Sequence, residues 1–217
     1  MCNLYSEKVS YQQLVEEFSQ LKLPVVLPGP EAAPNLEPLE QVRPTDVAPV
    51  IRPAEGGVEL ARLKWGFAPA RPNLPSGGPR SGAIRGAPPV INFRSEGRRF
   101  GRGRCLVPAN CFFEFTGTRY PKTRWRFTEA GQEWLCMAGL WRPAEGDWPE
   151  SFTLLTTEPG PDVKPYHDRQ VVVVPRERWA AWLDPEVDPG PLLVAGPTGT
   201  LEVEQVAADR PAQATLL

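Results

Sequence analysis

The stretch RCLVPANCFFEF, residues 104–115, decides how this chain is read. Residues 105–107 and 111–115 are apolar runs too short for helices and rich in valine, phenylalanine and cysteine, so both read as strands. One letter does not suit a buried strand: Glu114 stands among Phe112, Phe113 and Phe115. Apolar surroundings raise a carboxyl pKa toward neutrality, which is what a general acid or base requires. A salt-bridged strand glutamate explains the same letters.

Working outward, similar strand signals occupy residues 58–67, 125–128, 134–138, 152–156 and 171–174, and 27 prolines with 19 glycines argue against a helical bundle. All-β or α+β is therefore the expected class. Two helices are expected. In SYQQLVEEFSQL, residues 10–21, Tyr11, Leu14, Val15, Phe18 and Leu21 share one face, and Ser10 with Gln13 forms a capping box. In PRERWAAWLD, residues 175–184, Pro175 opens a helix that buries Trp179, Trp182 and Leu183. Proline recurs too often between residues 24 and 53 for regular structure, apart from a strand at 47–51. Residues 71–89, rich in Gly, Pro and Arg, read as a long loop of the kind that serves function or moves.

At 217 residues with 41% hydrophobic content, and without an internal repeat or a splitting linker, one domain over 1–217 is expected. The net charge of -2 gives no global pull toward nucleic acid, so such binding must come from a local patch. No run of basic then apolar residues marks a signal peptide, and no stretch approaches the roughly 20 apolar residues of a membrane helix. The expected compartment is the cytoplasm, with Cys2, Cys105, Cys111 and Cys136 reduced. One histidine and no C-x-x-C pair leave neither a metal nor another cofactor expected.

The chain starts MCNLYS. A small residue at position 2 ordinarily permits removal of Met1, which leaves Cys2 with an amine and a thiol on adjacent carbons. With ordinary pKa values of ~7.7 and ~8.5, both are partly nucleophilic near neutral pH. A plain preference for a small second residue explains the same letter. RSEGRRFGRGR, residues 94–104, carries five arginines and three glycines, a pattern that grips phosphate and also suits a solvated loop. Lys122, Arg124 and Arg126, alternating around Trp125, extend that surface or form a wet strand face. The only histidine, His167, precedes an apolar strand, where Asp168 or Arg169 would tune it, although a lone histidine also serves structure. Trp65, in WGFAP at a strand end, suits base stacking or core packing.

Taken in order, seven blocks resemble the SRAP family, the SOS response-associated peptidases that shield abasic sites in DNA: MCNLYS, RPTDVAPVI from Arg43, WGFAP from Trp65, NFRSE from Asn92, RCLVPANCFFEF, AGLW from Ala138 and HDRQVVVV from His167. The resemblance implies an α+β domain with a β-barrel-like core flanked by short helices and a positive cleft for single-stranded DNA. It also implies the chemistry: the Cys2 amine condenses with the aldehyde of an opened abasic sugar, and the thiol closes a thiazolidine. Asn92 would bond the sugar-derived part, Glu114 would move protons, and His167 would open the deoxyribose ring and assist reversal. Arg94 would bind a flanking phosphate, and Trp65, Arg98, Arg99 and Arg169 would line the strand. Single-strand to double-strand junctions are expected partners, with the protein monomeric and at the nucleoid when bound to DNA.

The sequence departs from the family pattern at Asn3 and Leu4, where glycine and arginine are common, and at Cys111, Phe115 and Gln170. The segment between NFRSE and RCLVPAN is also short, which leaves the individual phosphates of Arg98, Arg99 and Arg102 unassigned. Two other functions fit the same residues. A cysteine peptidase would pair Cys2 with His167 and an orienting Asn92 or Glu114, but a self-maturing one is expected to cut a propeptide, and Met1 alone stands before Cys2. A binding module without catalysis would rest on the arginines and be indifferent to Cys2. An N-terminal amine that forms a Schiff base also permits β-elimination at the abasic site.

Overall fold

The computed structural model describes residues 2–26, 36–69 and 87–207. Helix α1 (Tyr11–Gln20) forms where its cap predicts it: the Gln13 N–H donates to Ser10 Oγ, and the Ser10 N–H donates to Gln13 Oε1. Its apolar stripe buries Leu14 and Phe18, and Phe18 stacks on Trp179 with ring centroids 5.2 Å apart. The second helix opens as a 3₁₀ turn at Arg176–Arg178 and continues as α2 (Trp179–Leu183), with Trp179, Trp182 and Leu183 buried.

Apart from a 3₁₀ turn at Gly190–Leu192, the remaining elements are strands in two sheets. The smaller comprises β1 (Tyr5–Glu7), β3 (Leu39–Val42), β8 (Cys111–Thr116), β9 (Thr123–Glu129) and β14 (Leu201–Val206), in the order β14-β9-β8-β1-β3. The larger runs through β12 (Gln170–Val171), β11 (Ser151–Thr157), β10 (Leu135–Arg142), β7 (Arg104–Ala109), β4 (Val47–Ala54), β5 (Gly57–Trp65) and β2 (Val25–Val26). Two short strands join it, β6 (Asn92–Arg94) beside β11 and β13 (Val173–Val174) beside β10.

Strand β7 shows why the opening stretch decides the fold. All six of its residues are buried, because successive side chains enter different cores. Cys105 and Val107 face the space between the sheets, with Tyr5, Trp65, Phe112, Phe127 and Phe152. Leu106 faces the opposite layer, under α1 and α2, with Phe18, Ile51 and Trp182. The class is α+β, and the larger sheet is barrel-like in one respect. Strand β5 returns to pair in parallel with β11 at Lys64–Ser151 and Trp65–Phe152, a contact of two pairs rather than a closed barrel.

Two expectations change. The proline-rich segment holds regular strands: β4 extends to Ala54 and pairs with β5 along its whole length. Pro49 and Pro53 flank Ile51, the one β4 residue paired with β7, so the missing N–H groups fall where that neighbour makes no ladder. The strand expected at 171–174 divides at Val172, whose N–H donates to Leu155 O and whose carbonyl accepts from Ala138 N–H. Most of the loop expected at 71–89 lies outside the described residues. Where β5 ends, Gly66 has φ +118, and a Cβ there would meet Pro89 at 2.7 Å, so the turn after Trp65 requires glycine.

Candidate active site

The first residues of the chain are stitched into the smaller sheet. Tyr5 pairs with Phe112 on one side and Val42 on the other, and the Phe113 N–H donates to Leu4 O at 3.0 Å. This draws Cys2 into the space between the sheets, where it is 1% exposed and its thiol donates to Leu4 O at 3.4 Å. Burial, and after it the negative charge of Glu114, pushes the Cys2 thiol up to about 12.

Three distant residues converge there. Asn92 lies on β6, which pairs in parallel with β11, and its Nδ2–H donates to the Cys2 carbonyl at 2.7 Å. Asn92 Oδ1 is buried without a hydrogen-bond partner, an acceptor available to a bound hydroxyl or amine. Glu114 is 2% exposed on β8, and burial raises its carboxyl to about 7. His167 precedes β12, and its Nε2 stands 3.8 Å from Glu114 Oε2, an ion-pair separation longer than a hydrogen bond.

The proton on His167 is placed by its neighbours. Nδ1 lies 2.9 Å from the Arg169 N–H, which donates to it, and 2.9 Å from Asp168 Oδ1. One nitrogen cannot accept from the first and donate to the second at once. Burial lowers the His167 pKa from its ordinary value, which favours neutral imidazole near pH 7. Nδ1 then accepts from the backbone, and the remaining proton sits on Nε2, toward Glu114. Asp168, with an 89% exposed side chain, is the weaker partner.

A family model described as SOS response associated peptidase matches residues 1–209. The chain belongs to the SRAP family. Among similar proteins, one from Bacillus subtilis named abasic site processing protein YobE is 25% identical over 199 residues, covering 86% of this chain and 83% of its own. Abasic site processing protein YoqW of the same organism is also 25% identical over 199 residues, covering 86% and 81%. A crystal structure from Bordetella bronchiseptica superposes with a TM-score of 0.67 at 21% identity, covering 95% of this chain and all of that one. Another, from Bacteroides thetaiotaomicron, gives 0.64 at 16%, covering 95% and 92%. These two likenesses show the fold.

Around this SRAP pocket the expected strand-lining residues divide. Arg94 follows Asn92 by two on β6, hence on the same face, and is exposed. Arg98 and Arg99 are exposed and line an open groove of about 760 Å³ with Ser95, Glu96 and Thr157; the Arg98 guanidinium lies 4.5 Å from the Phe93 ring centre. Trp65 needs correction: it is 0% exposed, its indole N–H donates to Ile91 O, and it packs edge-on against Tyr5. It belongs to the core rather than to a stacking surface, because its ring lies in the space between the sheets, stacked on Phe152. Arg169 is also no free cation. At 8% exposure its guanidinium grips both Glu96 carboxylate oxygens and also donates to Thr156 O and Oγ1.

The alternating cations of β9 point away from Trp125. Arg124 is buried over the Phe113 ring, and Arg126 pairs with Glu204. Glu96, as the brace of Arg169, and Tyr166 were not expected; the signal for the first was its place in NFRSE and for the second its position directly before His167. Among the described residues no three His, Cys, Asp or Glu side chains gather as a metal site, and no helix is long and apolar enough to cross a membrane.

Proposed function

We propose that this SRAP protein processes abasic sites in DNA by capturing them covalently at Cys2, once Met1 has been removed. The observation that carries the reading is the convergence of Asn92, Glu114 and His167 on Cys2, with Asn92 bonded directly to the Cys2 carbonyl. The names of the relatives, abasic site processing proteins, support it.

In an opened abasic sugar, C1′ is an aldehyde. The Cys2 amine adds to it, and the carbinolamine loses water to give an imine, with protonated Glu114 supplying the proton that leaves in the water. The thiol then adds across the C=N bond: sulfur bonds to C1′, its proton passes through Glu114 to nitrogen, and a five-membered thiazolidine closes. One water is released overall. A carboxyl near pKa 7 suits both transfers, since it gives and accepts protons with little bias at neutral pH. It also offsets the reluctance of the buried thiol to ionise, because the proton leaves as the new bond forms. Asn92 Oδ1 accepts from a sugar hydroxyl, and neutral His167 offers its Nε2–H to the ring oxygen as the sugar opens. Arg94, Arg98 and Arg99 are assigned to phosphates of a single strand. A peptidase reading gains less support, because a catalytic thiolate needs a depressed pKa and the Cys2 thiol is pushed the other way.

The test is a denaturing gel of the purified protein with a single-stranded oligonucleotide carrying one abasic site, beside intact DNA. A band that survives boiling in detergent and requires the abasic site is expected. Its absence from protein whose intact mass shows Met1 removed would overturn covalent capture.

A further inference from the structure

An aromatic pair beside the two proton-handling residues has no part in the steps above. Trp125 on β9 is the cross-strand partner of Glu114 on β8, so the two side chains are neighbours on one face of that antiparallel pair. Tyr166 immediately precedes His167. The two rings meet with centroids 4.5 Å apart at 51°, and both residues are half-buried. Beneath them, Phe127 packs edge-on against Tyr166 at 5.6 Å and stacks on Phe112 at 4.9 Å. The pair thus rises from the core to the surface beside Glu114 and His167. Its geometry is fixed from within, because the Trp125 indole N–H donates to Thr116 Oγ1 at 2.8 Å and the Tyr166 N–H to Val163 O at 2.8 Å.

A strand with a missing base offers a rigid aromatic surface a particular partner. The base next to the gap has lost its stacking neighbour, and an aromatic face restores what was lost, whatever that base is. We propose that Trp125 and Tyr166 form a stacking subsite for the nucleobase adjacent to the abasic sugar. The inference rests on the capture reading for its choice of ligand. It adds a source of selectivity, because in intact DNA the same base is already stacked and gains less from the pair.

The test uses single strands carrying one tetrahydrofuran residue, an abasic mimic without an aldehyde, so that binding is read apart from chemistry. The neighbouring nucleotide on the 5′ or the 3′ side is either adenine or a second tetrahydrofuran, and affinity is measured by fluorescence anisotropy. The wild type is expected to bind about tenfold more weakly when the neighbouring base is removed on one side, which identifies the side. Tyr166→Leu and Trp125→Leu should bind both strands alike, at the weaker level, while Tyr166→Phe keeps the preference. A wild type indifferent to the neighbour on both sides, or leucine variants that keep the preference, overturns the subsite. Should Trp125→Leu fail to fold, Tyr166→Leu alone decides. Failure of the wild type to crosslink a true abasic strand counts against capture and leaves this binding result to stand by itself.

Discussion

The pocket at Cys2 and the groove that holds Arg98 and Arg99 beside Glu96, Glu158 and Asp188 use opposite physics. In the pocket, Cys2 and Glu114 are almost fully buried, and burial itself moves the thiol to about 12 and the carboxyl to about 7. In the groove, Arg98 and Arg99 stand in solvent, where charge acts through a screened field. On the proposed function, the first region would serve a reaction at one atom and the two arginines the grip on a repeating charge. Changes in the pocket should therefore alter rates steeply and salt dependence little, and changes in the groove should do the reverse.

Cys2→Ala gives the largest effect: no boiling-resistant adduct at any time or DNA concentration, with binding to a tetrahydrofuran strand kept within a few-fold. Normal adduct from Cys2→Ala would break the contrast outright. Glu114→Gln keeps the shape and removes the titrating proton, so single-turnover capture should slow by about 10²–10⁴-fold. The wild-type rate should decline as pH rises through about 7, where Glu114 ceases to be an acid, and Glu114→Gln should lack that decline.

A smaller effect separates burial from reactivity. Glu7 is 1% exposed, accepts from the Val9 N–H, and burial raises its pKa to about 7, yet no reaction step is assigned to it. A carboxyl raised in the folded state binds more protons there than in the unfolded chain between its ordinary value and about 7. Stability therefore falls as pH rises through that window and stays reduced above it. Glu7→Gln should recover about 1–3 kcal/mol at pH 8 and nothing at pH 4, read by denaturant unfolding, with capture unchanged. The smallest effects belong to the groove. Arg98→Ala and Arg99→Ala should each lower the slope of log affinity against log salt by about one unit, with maximal capture rates retained at saturating DNA.

How much of this was legible differs element by element. The strands at 111–115 and 152–156 were readable because they are mainly apolar and β-prone, and α1 because its cap and stripe agree. Strand β4 was read only as far as residue 51, because Pro53 argues against a strand, and that proline is harmless only because β7 meets β4 at a single residue. Strand β14 went unread because its mixed LEVEQV face packs on one side only, behind a Pro- and Gly-rich approach. Glu114 was legible as a misplaced charge, and Cys2 as an odd second residue. Their meeting with Asn92 came only from the family resemblance, since it depends on the parallel alignment of β6 with β11, which no local pattern encodes. Trp65 misleads for a related reason: a side chain at a strand end faces solvent only when nothing packs over it, and Phe152 of β11 does.

The placement of β1 between β3 and β8 also bears on how the protein is made. Its partner β8 lies more than a hundred residues downstream. At 5–20 residues per second, the ribosome needs on the order of ten seconds to deliver it. Through that interval β1 has only β3 to pair with, and the strand that carries Glu114 to Cys2 is not yet present. Under covalent capture by Cys2, removal of Met1 would fall in that interval, before β8 walls the residue in.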